Sequence, residues 1–175
     1  VVWHSDHLFG NNKFEIAGQL LDNTGAEIGS DFGISNARDV DADADAFNPA
    51  VIWMSARNRY LVTWSGDQIS SSDDDDFEIF GQVLDNAGAE VNSDTRISFV
   101  DDIATDRDAD FPDVAVNSTG VFMITWEDDR LADDATEIIG QCGQMTSRLS
   151  SQLQDARATL CKLIPREALT WTRWR

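Results

Sequence analysis

Apolar and polar positions alternate along this chain in short runs cut by turn residues, and the runs recur. FEIFGQVLDNAGAE at Phe77 to Glu90 nearly repeats FEIAGQLLDNTGAE at Phe14 to Glu27, and EIIGQ opens a third copy at Glu137. The copies lie about sixty residues apart, and VVW (Val1 to Trp3), YLVTW (Tyr60 to Trp64) and FMITW (Phe122 to Trp126) keep step with them. A period this long, filled with short strand-like runs, predicts an array of small sheets.

Aligning the copies gives four strands per unit, each bounded by turn residues. The complete unit spans 48–98: PAVIWMS (Pro49 to Ser55), RYLVTWS (Arg59 to Ser65), FEIFGQVLD (Phe77 to Asp85) and DTRIS (Asp94 to Ser98). The Asp85-Asn86-Ala87-Gly88 sequence predicts a tight hairpin closed by Gly88 at positive φ, with Gly25 at the same place in the first copy. A partial unit at 1–35 supplies strands two to four, and another at 111–141 supplies strands one to three. Strand two is apolar on both of its faces, with Phe122, Ile124 and Trp126 alternating with Val121 and Met123. That pattern predicts strands buried between stacked sheets. The expected fold is therefore all-β, with about three four-stranded antiparallel blades of the β-propeller type.

The order NRYLVTW, an acidic loop, FEIFGQVLDNAGAEVNSDTRIS and then DADFPDVAV resembles the propeller-type repeats of large secreted bacterial proteins. Their blades read like NEYLVVWED, DIYGQRLDANG and EFRIS. The resemblance covers residues 1–141 and implies an extracellular or cell-surface location. After Gln141 the pattern stops, and 142–175 is an atypical tail. Leu149, Leu153, Ala156, Leu160 and Leu163 recur at three and four residues, which predicts a short C-terminal amphipathic helix over 146–163, ended by Pro165. The tail holds six of the thirteen basic residues and only Asp155 and Glu167 as acids, as a gene junction would leave it. Val1-Val2-Trp3 begins in mid-strand with no signal peptide before it, so an upstream segment is expected.

A net charge of −19 argues against nucleic acid and anionic membrane surfaces as partners, and no run has the ~20 apolar residues of a membrane span. Cys142 and Cys161 are too few to define a disulfide framework. The acids are sorted to one end of the blades. They fill the loops between strands two and three and between blades, while the opposite end receives short DNxGAE and NSTG turns. Uniform solubilising charge would not choose an end, so this asymmetry is the main functional clue.

Asp41, Asp43 and Asp45, echoed by Asp106, Asp108 and Asp110, place carboxylates at alternate loop positions, a pattern suited to calcium. An EF-hand-like loop would want glycine at Ala46 and glutamate at Ile52, so such a site borrows ligands from neighbouring loops. Solvated, mutually repelling loops are the competing reading. His4 and His7 lack a second His or Cys cluster nearby, and Trp3, Trp64 and Trp126 are expected in the core between blades. Three units do not close a ring, which predicts a twofold homodimer. The functional expectation is a noncatalytic extracellular binding or adhesion module, calcium-stabilised, with a glycan or protein ligand. The alternative is a carbohydrate-active hydrolase that uses two carboxylates of the acidic loop face. The aspartate-box signature of sialidase propellers, S-x-D-x-G-x-T-W, is absent.

Overall fold

The computed structural model describes residues 1–7, 13–37, 44–68, 76–99, 108–129 and 136–144. Among these residues ten strands make three antiparallel sheets. The first holds β1 (Val2–Ser5), β2 (Glu15–Leu21) and β3 (Glu27–Gly33) in that order. The second holds β4 (Ala46–Met54), β5 (Arg59–Gly66), β6 (Glu78–Asp85) and β7 (Glu90–Arg96), and the third β8 (Ala109–Val116), β9 (Val121–Asp128) and β10 (Glu137–Gln144). The three sheets fall within the repeats read from the sequence, and among the described residues the first shows strands two to four and the third strands one to three. The helix expected at 146–163 lies outside the described residues.

The repeated sequence performs the same structural tasks in the first two blades. Gly18 and Gly81 leave room for the isoleucine of strand four: a Cβ there would meet Ile34 Cδ1 at 2.8 Å and Ile97 Cδ1 at 2.9 Å. The next residue, Gln19 or Gln82, is buried and donates its Nε2 to Ile28 O at 3.0 Å or Asn92 O at 2.9 Å, on the strand across the local β-bulge. At the hairpins, Asp22 Oδ1 accepts from Thr24 N and Ala26 N, and Asp85 Oδ1 accepts from Ala87 N and Ala89 N. Gly25 and Gly88 then take φ of 86° and 84°, as the DNxG sequence predicts.

Glu15 and Glu78, both buried, each accept a short hydrogen bond from the serine that ends strand four, Ser35 or Ser98. The same hydroxyls accept Ile16 N and Ile79 N, at 2.8 and 2.7 Å. The F-E-I and I-S motifs are thus two halves of one buried polar clasp. Arg96 adds an ion pair to Glu78 in the second blade. A carboxylate out of water is tolerable only when it is hydrogen-bonded, and the clasp supplies such bonds.

Strand one differs from the sequence expectation. β4 starts at Ala46 rather than at Pro49, and passes through the proline by way of a bulge between Phe47 and Ala50; β8 repeats this between Asp110 and Asp113. Asn48 and Phe111, each preceding a proline, take φ of 52°. The bulge absorbs the ladder donor that proline lacks.

Two cores fill the joints between blades. Ile16, Ile34, Val62, Trp64, Phe80 and Leu84 pack between the first and second. Leu61, Ile79, Ile97, Phe122, Ile124 and Trp126 pack between the second and third. β5 is buried on both faces, as expected, but β9 is not: Met123 is 38% exposed and Glu127 is exposed. No described blade covers that face, so the apolar pattern of strand two is satisfied on one side only.

Candidate functional site

The acidic end is built from the same hydrogen bonds at successive joints. Asp45 Oδ1 accepts Phe14 N at 2.6 Å, while Asp45 N donates to Asp67 Oδ1 at 2.6 Å. One blade on, Asp108 Oδ1 accepts Phe77 N at 2.8 Å, while Asp108 N donates to Asp129 Oδ1 at 2.8 Å. Each interblade aspartate therefore ties strand three of one blade to the end of strand two of the next. Lys13 also pairs with Asp45, 3.5 Å away. Burial, with the repulsion of Asp45, pushes the Asp67 carboxyl up, against the hydrogen bond it receives from Asp45 N and the pull of Lys13.

Of the six aspartates singled out for calcium, Asp41, Asp43 and Asp106 lie outside the described residues. Asp45 and Asp108 are joint staples, each with one oxygen committed to a backbone N–H. Among the described residues no group of three metal-ligating side chains converges.

Asp110 has a different setting. It lies on β8, the strand of the third blade nearest the second, at the acidic end. Its Oδ1 accepts from Asn48 Nδ2 at 2.9 Å, from Phe111 N at 2.8 Å and, in a short bond, from Ser65 Oγ. Asn48 and Ser65 come from β4 and β5, so the carboxylate is fixed by groups from both blades. Directly opposite Asp110 across the β8–β9 ladder is Glu127. Phe111, next in sequence, is 58% exposed and strained into the left-handed region. Such strain costs roughly 1–3 kcal/mol and persists only where surrounding contacts hold it.

Sequence reading placed Asp110 among metal ligands, counted Glu127 only as one acid of the acidic loop face, and passed over Asn48 and Ser65. Two alignments hold the signal that identifies them. AFNPAV against ADFPDV sets Asp110 opposite Phe47, and TWSG against TWED sets Glu127 opposite Ser65.

No protein-family model matches the chain, and no curated protein matches it. Solved structures similar to it include an endo-arabinase from Bacteroides thetaiotaomicron, at 13% identity and a TM-score of 0.48, with 83% of this chain and 50% of that one covered. Another is the GH43 endo-arabinanase from Bacillus licheniformis, at 17% identity and a TM-score of 0.41, covering 75% of this chain and 46% of that one. The chain thus spans about half the length of each. At these identities the likeness is one of fold. The expectation of a noncatalytic binding or adhesion module is not upheld by these neighbours, which are an endo-arabinase and an endo-arabinanase. The chain is an all-β protein built of β-propeller-type blades.

Proposed function

We propose that the chain supplies the carboxylate-bearing blades of a carbohydrate-active hydrolase. The observation that carries this reading is the direct opposition of Asp110 and Glu127 across β8 and β9. Residues opposed in an antiparallel pair have Cα atoms about 4.5–5.5 Å apart. Asp110 faces the second blade and Glu127 the open side of β9, so catalysis by the pair requires their carboxyl groups to come within roughly 5–9.5 Å around the end of the strand pair, the range at which paired carboxylates cleave glycosidic bonds.

The two groups are unequal in a useful way. Asp110 is half-buried, with one oxygen fixed by three donors, and serves as the positioned carboxylate that supports attack at the anomeric carbon, directly or through water. Glu127 is exposed and one methylene longer, and serves as the acid that gives its proton to the departing glycosidic oxygen. The surrounding acids suit a neutral substrate and repel anionic ones.

The test is a hydrolysis screen over neutral polysaccharides, arabinan among them, with the full chain. Turnover is expected on at least one, and Asp110→Asn and Glu127→Gln are each expected to lower it about a hundredfold or more. No turnover on any of them, or turnover untouched by both substitutions in folded protein, overturns the reading.

A further inference from the structure

Four aromatic rings run along the acidic end of the first two blades. Ring centroids of His4 and Phe14 are 5.5 Å apart, of His4 and Phe47 5.4 Å, of Phe14 and Phe47 5.0 Å, and of Phe47 and Phe77 5.9 Å. None of the four belongs to the buried core: His4 is exposed and the three phenylalanines are half-buried. The joint beneath them is already filled by Trp64, Phe80 and the aliphatic residues packed with them. A run of partly wet rings, at an end of the molecule otherwise made of aspartates, lies outside the packing of either core.

The repeat supplies an internal control. His4 and Ser65 occupy the same place, directly after the strand-two tryptophan, and Phe47 and Asp110 occupy the same place in strand one. At the first joint this geometry puts His4 edge-on to Phe47; at the second it puts Ser65 Oγ on Asp110. The fold therefore accepts either chemistry at these positions, and packing alone does not account for the rings. The two joints are also physically continuous. Asn48, the neighbour of Phe47, is the residue whose Nδ2 reaches Asp110, and its left-handed backbone is part of the bulge that makes this reach possible.

An aromatic platform beside a hydroxyl, an amide and a carboxylate suits a ligand with one apolar C–H face and a rim of hydroxyls. A purely apolar ligand would strip water from the polar rim of Asn48, Ser65 and Asp110 without replacing its hydrogen bonds, and an anionic one would meet the acidic loops. We propose that His4, Phe14, Phe47 and Phe77 form a stacking subsite for a neutral sugar unit of a glycan, flanking the Asp110–Glu127 pair. The placement next to a bond-cleaving centre rests on the hydrolase reading; the stacking itself does not.

Affinity electrophoresis through gels carrying soluble arabinan, xylan or mixed-linkage glucan separates the two. Wild-type chain is expected to be retarded by at least one of these, and Phe47→Ala and His4→Ala are each expected to weaken retardation roughly 3–10-fold, the worth of one aromatic contact. His4 is exposed, so His4→Ala keeps the test valid should Phe47→Ala fail to fold, and circular dichroism reports on folding. Trp53→Ala is the control, because Trp53 and Tyr60 form a second partly exposed ring pair, 4.6 Å apart, at the opposite end of the second blade. Retardation lost in Trp53→Ala but kept in His4→Ala and folded Phe47→Ala overturns the subsite, as does its absence from every gel. Retardation that depends on Phe47 and His4 without any hydrolysis upholds the subsite and rejects the hydrolase.

Discussion

Trp126 donates its indole N–H to Asp128 Oδ2 at 2.9 Å, and both residues are buried, whereas Trp64, at the same place one blade earlier, faces Gly66 and has no acceptor for its buried indole N–H. The pair W-x-D in the third blade has become W-x-G in the second. A polar group stranded in a dry joint costs more than its hydrogen bond contributes when made. Asp128→Ala is therefore expected to lower stability by about 1–3 kcal/mol, and Asp128→Asn, which keeps an acceptor oxygen, by distinctly less. Urea midpoints of the two variants check this, and equal losses would show that the indole bond is not what Asp128 supplies.

The serine clasp predicts a second ordering. Ser98→Ala removes the acceptor of Ile79 N and one donor to buried Glu78, and is expected to cost roughly 2–4 kcal/mol despite the loss of a single oxygen. Arg96→Ala leaves the hydroxyl but takes away the ion pair, and should also weaken the fold. The double variant should lose less than the sum, because both act on one carboxylate. Strict additivity in thermal melts would contradict a shared role.

Asp94 sets a pH dependence. Its carboxyl is pushed up to about 7, first by burial, then by the nearby Glu90 and Glu15 carboxylates, while the Asn36 N–H and the Gln68 amide oppose the rise. Asn36 N donates to Asp94 Oδ2 at 2.9 Å, and the buried Oδ1 has no hydrogen-bond partner. A carboxyl whose pKa is raised in the folded state stabilises it fully below the unfolded value of 3.8, and that stabilisation is lost as pH rises towards about 7. Asp94→Asn keeps an acceptor for Asn36 N and removes the titration. Its stability relative to the unsubstituted chain should climb between pH 4 and pH 8, reaching a gain of roughly 2–4 kcal/mol. A flat difference across that range would exclude Asp94 as the titrating group.

Calcium at Asp41, Asp43, Asp45, Asp106, Asp108 and Asp110 stands as a proposal from the sequence. Millimolar calcium is then expected to raise the melting temperature, and magnesium to raise it less, since it gives up water reluctantly. Identical melts in calcium and in chelator would remove calcium from the account.

The repeated segments determined a good part of this molecule before any coordinates. Period, strand number, hairpin glycines and the burial of Trp64 and Trp126 are local or quasi-periodic properties, written wherever FEIxGQ and the strand-two tryptophan recur. The end at which acids collect followed from counting strands. What those acids do was decided only by tertiary structure, because consecutive aspartates look alike in sequence. Asp45 and Asp108 are staples because each meets a backbone N–H from the preceding blade. Asp110 differs because a bulge at Asn48 brings an amide from another strand to its oxygen. Glu127 gains its meaning from ladder register, and the rings of His4, Phe14, Phe47 and Phe77 meet only when two blades pack. Residues tens of positions apart converge through the angle between sheets, and no period in the chain encodes that angle.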